Sequence, residues 1–132
     1  MRIGEFSQAS GLSIDTLRYY DKIGLLRPEK INRLRRYSKI DLKKAQEIVK
    51  MKRMNFSLLE MKRLFALDHE MERGLAVGIV NNEVAHEGLE LLKLKYREMI
   101  QQELQIKEIK EQLEHLIKKV ENFIQKGFSE DE

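Results

Sequence analysis

Apolar residues recur at intervals of seven along the last third of this 132-residue chain. The repeating positions are Ala85, Leu92, Met99, Ile106, Leu113 and Val120. This spacing predicts one long helix over residues 84–124 with a coiled-coil seam along one side. Such a helix is about 60 Å long at 1.5 Å per residue. Because little of the chain is left to cover it, we expect it to pair with the same helix of a second subunit.

A second apolar position completes the seam only in its later half. Ile109, Leu116 and Phe123 fall three residues after Ile106, Leu113 and Val120, whereas Gly88, Lys95 and Gln102 occupy the corresponding earlier positions. The predicted homodimer interface therefore consists of Leu92, Met99, Ile106, Ile109, Leu113, Leu116, Val120 and Phe123.

Charge is divided unevenly between the two halves of the chain. Residues 1–65 contain 16 Lys or Arg and 7 Asp or Glu, and residues 66–132 contain 9 and 15. A basic block followed by an acidic block indicates a polyanionic partner for the first half. Nucleic acid is the favoured partner, while an acidic protein or a membrane surface stays open at this point.

The first 27 residues have the pattern of two short helices joined by a turn. The first is predicted from about Gly4 to Ser10, with Gly11 in the turn. Ser13 is a good N-cap for the second, and Gly24 suits the position just after its end. This arrangement is typical of a helix-turn-helix.

Three further helices are predicted beyond Pro28. A small hairpin with its turn near Asn32 comes first, and a helix then begins at the capping box Ser38–Asp41 and ends at Asn55, a residue that tolerates left-handed backbone. Ser57–Glu60 is a second capping box, which starts a helix ending near Leu67. We predict domains at residues 1–67 and 84–124, an irregular connector at 68–83 and a disordered acidic tail at 125–132.

Side chains on the second predicted helix have the chemistry of DNA recognition. With Leu17 facing inward, Thr16, Arg18 and Tyr19 lie near the outward face. An arginine there can contact a guanine edge or a phosphate, and a tyrosine hydroxyl can hold a phosphate. Taken alone, the alternative that Arg18 is a solvated charge and the tyrosines are core residues is equally good.

A dense basic stretch follows this helix. Eight cations stand against Glu29 and Asp41 within residues 27–44, namely Arg27, Lys30, Arg33, Arg35, Arg36, Lys39, Lys43 and Lys44. A charge run is usually only a solvated face. Its position directly after a helix-turn-helix instead favours contact with the DNA backbone or a minor groove.

The N-terminal half resembles the MerR family of transcriptional regulators. The matching runs are Arg2–Phe6, Gly11–Ser13, Thr16–Asp21, Gly24–Leu26, Arg35–Ser38, Asp41–Leu42 and Phe56–Leu58. The similarity covers residues 1–65, and beyond them only a long helix in the right place continues it. One departure is the hairpin turn, Asn32-Arg33-Leu34, where the family commonly has Asn-Gly-Tyr; Asn32 is then expected to supply the unusual dihedral.

The resemblance implies a mostly α fold: an N-terminal winged helix-turn-helix and a long helix that pairs antiparallel in the homodimer. It implies binding to double-stranded promoter DNA at a pseudo-palindrome, distortion of the promoter spacer, engagement of RNA polymerase and a response to an effector. The residues it assigns to DNA are Ser13, Thr16, Arg18, Tyr19 and Tyr20 on the helix and Arg35 and Tyr37 on the wing. Arg33 and Arg36 are added from their charge.

The sequence predicts neither a metal nor a cofactor. There is no cysteine, so thiolate sites are excluded, and His69, His86 and His115 have no second histidine three or four residues away. A small apolar effector is one option, because Met51, Met54, Met61, Phe65 and Met71 could line a flexible pocket. Simple core and interface packing is the favoured interpretation of these five side chains.

Other classes of protein fit less well. No nucleophile–base pair, phosphate-binding glycine loop or paired acids is visible, so an enzyme is not expected. The alternatives that stay open are a repressor or architectural DNA-binder without a ligand, and a coiled-coil adaptor with a basic head. With no signal-peptide pattern and no long apolar segment, the chain is expected to be cytoplasmic and to avoid membranes.

Overall fold

The computed structural model describes residues 1–130, and the side chains of residues 1–127. Five helices and a two-stranded sheet occur along this part of the chain, so the predicted mostly α fold with a helix-turn-helix, a wing and a long final helix is confirmed. In order, the elements are α1 (Ile3–Ser10), α2 (Ile14–Lys22), β1 (Glu29–Ile31), β2 (Leu34–Arg36), α3 (Lys39–Arg53), α4 (Leu58–Ala76) and α5 (Asn82–Glu130).

Side-chain caps start α3 and α4, as the sequence predicts. The Ser38 hydroxyl accepts from the Asp41 amide at 3.1 Å while the Asp41 carboxylate accepts from the Ser38 amide at 2.8 Å. Ser57 and Glu60 make the same reciprocal pair at 3.1 and 2.8 Å. Each box gives partners to amides that a helix leaves free at its start, which fixes where both helices begin.

Left-handed residues end α2 and α3 at the predicted places. Gly24 has φ +76 and Asn55 has φ +64. Just beyond them, the Leu25 amide donates to the Tyr20 carbonyl at 2.9 Å and the Phe56 amide to the Met51 carbonyl at 3.1 Å. These bonds close each helix end and turn the chain back across the core.

The wing is a short antiparallel hairpin in which Ile31 pairs with Leu34. Its two turn residues, Asn32 and Arg33, both have positive φ, 51 and 67. Two successive left-handed residues are the requirement of the type I′ turn, which matches the twist of a hairpin. Asn32 therefore supplies the unusual dihedral as predicted, and Arg33 takes the position where glycine is easier.

Residues from Met1 to Leu91 form one compact unit around a small core. The Phe6 and Tyr37 rings stack with centroids 4.2 Å apart, and the Tyr37 amide donates to the Met1 carbonyl at 2.7 Å. These two contacts attach the end of the wing to the start of the chain. The buried side chains around them are Leu17, Tyr20, Leu25, Leu26, Ala45, Ile48, Phe56 and Met61.

The predicted end of α4 near Leu67 is wrong, since the helix continues to Ala76 and much of the expected connector is helical. Gly78, two residues beyond the last residue of the helix, has φ +77. The Ile79 amide then donates to the Gly74 carbonyl at 2.7 Å, and a Cβ on residue 74 would lie 2.8 Å from the Ile79 oxygen. The two glycines thus form the helix end instead of interrupting the helix earlier.

The final helix is longer than predicted at its far end. α5 runs to Glu130, so residues 125–130 are helical where a disordered tail was expected, and residues 131 and 132 lie outside the described residues. The single glycine near the end, Gly127, costs about 1 kcal/mol relative to alanine, too little to stop a long helix. Residues from Leu92 onward form the second compact unit. The division of the chain into predicted domains at residues 1–67 and 84–124 stays a prediction.

Within the first unit, the opening turns of α5 are fastened to α4. The Arg63 guanidinium meets the Glu87 carboxylate through two contacts, Nε to Oε2 at 2.7 Å and Nη2 to Oε1 at 2.9 Å. This hydrogen-bonded pair lowers the pKa of Glu87 and raises that of Arg63. Gly88 lies against buried Leu67, where an added Cβ would be 3.9 Å from the leucine side chain.

Candidate nucleic-acid interface

One face of α2 packs into the core, and the opposite face is exposed to solvent. Leu17 and Tyr20 are buried, whereas Arg18 is exposed and Tyr19 is 51% exposed. Leu17 and Tyr20 are three positions apart and so lie on one side of the helix. The predicted outward placement of Arg18 and Tyr19 follows directly from this anchoring.

The amino end of α2 is organised by two hydroxyls. The Ser13 Oγ accepts from the Thr16 amide at 3.1 Å and donates to the Thr16 Oγ1 at 2.8 Å. Ser13 is therefore a cap for the helix, and Thr16 is held beside it. Both residues lie at the end of the helix where free amides favour an anionic group such as phosphate.

Three of the predicted cations extend from this surface without internal partners. Arg18 on α2, Arg33 at the hairpin turn and Arg36 at the end of β2 are all exposed. Within residues 1–130, none of the three guanidinium groups makes a hydrogen bond or an ion pair with the protein. Each is therefore free to contact phosphate.

Arg35 differs from these three, because it is used inside the protein. Its Nε lies 2.8 Å from Oδ2 of Asp21, at the end of α2, and its Nη1 lies 3.5 Å from the Pro28 carbonyl. Arg27 approaches the same aspartate, with Nε 3.6 Å from Oδ1. Asp21 thus joins the wing to α2. In the structure Arg35 is thus paired within the protein, and the DNA contact that the resemblance implies for it stays a prediction.

Two other predicted contact residues, Tyr20 and Tyr37, belong to the core. They are only 3% and 2% exposed. Burial raises the pKa of both phenols, and for Tyr37 the Asp21 carboxylate adds to the rise while Arg35 opposes it. Their assignment to DNA contacts stays a prediction.

Two lysines near α2 were not identified from the sequence. The Lys62 ammonium, on α4, donates to the Ile23 carbonyl at 2.6 Å. This carbonyl at the end of α2 thereby gains a hydrogen-bond partner. Lys52 lines a cleft beside α2 together with Thr16, Tyr19 and Ser57. No local pattern distinguishes these two from other lysines, because only the packing of α3 and α4 brings them to α2.

The predicted dimer residues are accessible along α5. Met99 is partly exposed, and seven others are each more than half exposed: Leu92, Ile106, Ile109, Leu113, Leu116, Val120 and Phe123. Apolar side chains this exposed on a helix of 49 residues are a surface suited to another protein. Their assignment to a dimer interface stays a prediction.

The methionine-rich set does not form a common pocket. Met61 is buried and lines the cleft beside α2, whereas Phe65 lies under the Lys44 ammonium, 4.7 Å from the ring centroid, in a different groove. Met54 is 51% exposed. These positions favour packing over an effector pocket for the set as a whole.

Among residues 1–130, no three His, Asp or Glu side chains are grouped as metal ligands would be. Over the same residues, no helix has both the length and the apolar character required to cross a membrane.

Comparison with known proteins agrees with this geometry. Residues 1–67 match the family described as MerR HTH family regulatory protein. The chain is 32% identical over 118 residues to the HTH-type transcriptional regulator HmrR of Rhizobium leguminosarum bv. viciae, covering 89% of this chain and 84% of that protein. A crystal structure described as a MerR family transcriptional regulator from Listeria monocytogenes overlays with a TM-score of 0.63 at 29% identity, covering 93% of this chain and 85% of the other.

The matched segment contains α1, α2, the wing, α3 and the first half of α4, and so includes every element that forms the candidate interface. The relatives extend the likeness along most of the chain. The chain therefore belongs to the MerR family of helix-turn-helix transcriptional regulators, which bind DNA and are not enzymes.

Proposed function

We propose that the protein is a homodimeric transcriptional regulator that binds a pseudo-palindromic promoter site, with one helix-turn-helix on each half-site. The observation that supports this most directly is the set of three exposed arginines, Arg18, Arg33 and Arg36, which have no internal partner within residues 1–130. Together they provide one cation on the helix and two on the wing of the same compact unit.

In this proposal α2 enters the major groove. Arg18 contacts a guanine edge or a phosphate, and the half-exposed Tyr19 and the Thr16 hydroxyl contact the flanking backbone. The amino end of the helix, capped by Ser13, faces a phosphate. Lys52, on the other side of the cleft beside Tyr19, adds a further phosphate contact.

The wing extends the contact along the duplex. Arg33 at its tip and Arg36 at its base reach the backbone or a minor groove. Arg35 contributes by holding the hairpin against Asp21, so that the wing and α2 meet the DNA as one rigid surface.

On the promoter, the dimer acts by distorting the spacer DNA between the two promoter elements that RNA polymerase recognises. An effector favours the DNA-distorting state over the resting state, and RNA polymerase then engages both elements. The protein acts in the cytoplasm, where the chromosomal promoters are. A plain repressor that uses the same DNA surface without an effector is the competing arrangement.

Binding to genomic DNA tests the proposal. Purified protein is incubated with sheared genomic DNA at physiological salt and the bound fragments are sequenced, with the Arg18→Ala variant in parallel. We expect a few promoters that share an inverted repeat between their polymerase elements, and their loss with the variant. Diffuse recovery without a shared repeat would contradict sequence-specific binding and favour an adaptor with a basic head.

Transcription from a recovered promoter then separates activation from repression. RNA polymerase is supplied with the protein in the presence and absence of cell extract from induced cultures. We expect the bound dimer to stimulate transcription under at least one condition. A bound complex that only represses would remove the distortion mechanism while leaving DNA binding in place.

A further inference from the structure

The wing tip combines an arginine with two exposed apolar side chains. Ile31 and Leu34 face one another directly across the hairpin, on either side of the turn that contains Arg33. They are 51% and 43% exposed, and among the side chains of residues 1–127 neither packs on the core. All other residues of the two strands are charged. The apolar pair therefore adds little to the core and is available to a surface outside the chain.

The two faces of the hairpin differ. Because side chains alternate along a strand, Leu34 and Arg36 lie on one face and Arg35 on the other. Arg35 is turned towards the body of the protein, where its Nε lies 2.8 Å from Oδ2 of Asp21. Residues directly opposite one another share a face, so Ile31 joins Leu34 on the outer side. The ion pair with Asp21 thus determines that the apolar pair faces outward.

The dimensions of the hairpin limit what can enter a groove of DNA. Paired strands lie about 4.8 Å apart before their side chains are added. The minor groove of B-DNA is only about 6 Å wide. The strands therefore stay at the rim, and only a long side chain at the turn reaches the base edges. Arg33 occupies this place, and its exposed guanidinium has no hydrogen bond or ion pair in the part of the chain that the structure describes.

The chemistry of the guanidinium group distinguishes the base pairs in that groove. All of its N–H groups are donors. In the minor groove an A·T pair offers only acceptors, adenine N3 and thymine O2, whereas a G·C pair adds the guanine N2 amino group, which is a donor. Because donors then face donors, Arg33 disfavours G·C. Tracts of A·T pairs also have a narrower minor groove with a more negative potential, which attracts arginine further.

The apolar pair fits the same contact. The walls of the minor groove are formed by the carbon-bearing faces of the deoxyribose rings, and the phosphates lie farther out. Ile31 and Leu34 flank Arg33 and so meet these sugars when its guanidinium reaches the bases. Against a phosphate, two apolar side chains would displace water from a charged group without replacing its hydrogen bonds. A contact of Arg33 with phosphate alone is therefore the less favourable arrangement.

We propose that the wing tip recognises a narrow, A·T-rich minor groove next to the major groove that α2 enters. Arg33 donates to adenine N3 and thymine O2, and Ile31 and Leu34 pack on the sugars at the rim of the groove. This inference rests on the DNA binding of the proposed function and adds to it a sequence preference outside the bases that α2 contacts. The preferred promoter site is A·T-rich where each wing lies.

Base analogues that differ in the minor groove test this inference. Hydroxyl-radical footprints of the unaltered protein and of the Arg33→Gly variant on the recovered promoter locate the positions that the wing tip protects. At these positions the adenine analogue diaminopurine adds a minor-groove amino group and leaves the major-groove edge unchanged. We expect it to weaken binding of the unaltered protein about tenfold. A G·C pair should have the same effect, and inosine·C, which lacks the amino group, should restore the affinity.

Two variants separate minor-groove recognition from charge. Arg33→Gly suits the left-handed backbone of the turn, so the hairpin should fold, and this variant should bind all of these duplexes with equal affinity. Arg33→Lys retains the charge, but its ammonium is compact and strongly hydrated, so we expect it to lose most of the discrimination against diaminopurine. The same analogues placed within the bases that α2 contacts are the control on the DNA and should change binding little.

Threonine substitutions test the apolar pair. Ile31→Thr and Leu34→Thr should each weaken binding to the promoter about threefold, because less apolar surface is removed from water. Leu59→Thr is the matched control, because Leu59 is 78% exposed and lies beside Arg63 and Leu91, in a groove formed by α4 and the first turns of α5. Equal binding by these three variants and the unaltered protein would contradict the contact with the sugars.

The outcomes distinguish the inference from the proposed function. Equal affinity of the unaltered protein for the adenine and diaminopurine duplexes, with a footprint on the promoter, would overturn minor-groove recognition and leave the proposed regulator intact. Identical footprints of the unaltered protein and Arg33→Gly, or equal discrimination by the two proteins, would overturn it as well. A promoter without a specific footprint by either protein would instead overturn the sequence-specific DNA binding on which the inference rests.

Discussion

Arg35 Nε and Asp21 Oδ2 lie 2.8 Å apart, and this ion pair connects the second strand of the wing to the end of α2. The carboxylate side chain is only 15% exposed, while the guanidinium is 37% exposed. The pair is therefore partly shielded from water, and its geometry fixes the direction of the wing relative to α2. It distinguishes Arg35, which is paired inside the protein, from the exposed arginines that are proposed to contact DNA.

Asp21→Asn is expected to lower the free energy of unfolding by about 1 kcal/mol, because a partly buried arginine loses its charged partner. DNA affinity should fall as the wing loosens, although the protein becomes more positive. Chemical denaturation and a binding titration measure the two effects. Glu29→Gln makes the same charge change on the exposed strand β1 and should not reduce either quantity. Tighter DNA binding by the Asp21→Asn variant would contradict this positioning role, because it would show that Arg35 contacts DNA once Asp21 no longer holds it.

Arg18→Ala is expected to weaken binding to the recovered promoter by about 1–3 kcal/mol and to relax preference at one base position. The side chain is exposed and unpaired within residues 1–130, so folding and dimerisation should be unaffected. Fluorescence anisotropy with specific and scrambled duplexes gives the comparison. Arg73→Ala, at an exposed position in the last turn of α4, is the control. Undiminished specific binding would remove Arg18 from the interface.

Arg36→Ala should weaken binding equally on specific and scrambled DNA, because a backbone contact is independent of sequence. The slope of the logarithm of affinity against the logarithm of salt concentration is expected to decrease in magnitude by about one, because one phosphate contact is lost. A salt series from low to physiological concentration measures this slope. An unchanged slope would place Arg36 away from the phosphates.

Leu113→Asp is expected to produce a monomer that no longer binds the promoter tightly, because a charge in the seam must be desolvated. Sedimentation velocity measures the mass and anisotropy the binding. Leu104→Asp introduces the same charge at a similarly exposed leucine on the opposite face and should stay dimeric. If both variants behave alike, the seam is not the interface.

High pH should destabilise the first unit through its buried tyrosines. The folded protein raises the pKa of Tyr20 and Tyr37 above 10.0, mainly through burial. The stabilisation from keeping these phenols neutral is complete below pH 10 and is lost as the pH rises through the folded values, because ionisation favours the unfolded chain. Urea unfolding at increasing pH measures the loss.

Phenylalanine variants assign that loss to residues. Tyr37→Phe should flatten the alkaline decrease in stability, whereas Tyr19→Phe, at a half-exposed position, should leave it in place. An identical pH dependence for the Tyr37→Phe variant and the unaltered protein would show that the buried phenol does not control alkaline unfolding.

Local signals were sufficient to predict where most elements begin. Ser13, Ser38 and Ser57 cap the three helices predicted from them, and the left-handed residues Gly24 and Asn55 follow two of the helix ends. Each signal acts over four residues or fewer, so it can be read without knowledge of the fold. The hairpin turn at Asn32 is predictable for the same reason.

Signals that depend on packing were missed. Arg35 carries the same charge as Arg33 and Arg36, and only the folded chain brings it to Asp21, fourteen positions away. The inward direction of Tyr20, in contrast, follows from its three-residue spacing to Leu17 and was open to prediction. The continuation of α4 past Leu67 was missed as well, because the place of Gly74 depends on Ile79, which turns back over it only in the folded protein.

The turn of the wing places opposing demands on one residue. Arg33 has left-handed backbone, a conformation that costs a side-chain-bearing residue on the order of 1 kcal/mol and costs glycine almost nothing. Glycine there would give a more stable hairpin with an uncharged tip. Folding alone would therefore favour glycine at this position, whereas the charge of Arg33 fits the contact with DNA that is proposed for the wing tip. The stability of the hairpin and the charge at its tip thus compete at a single position of the chain.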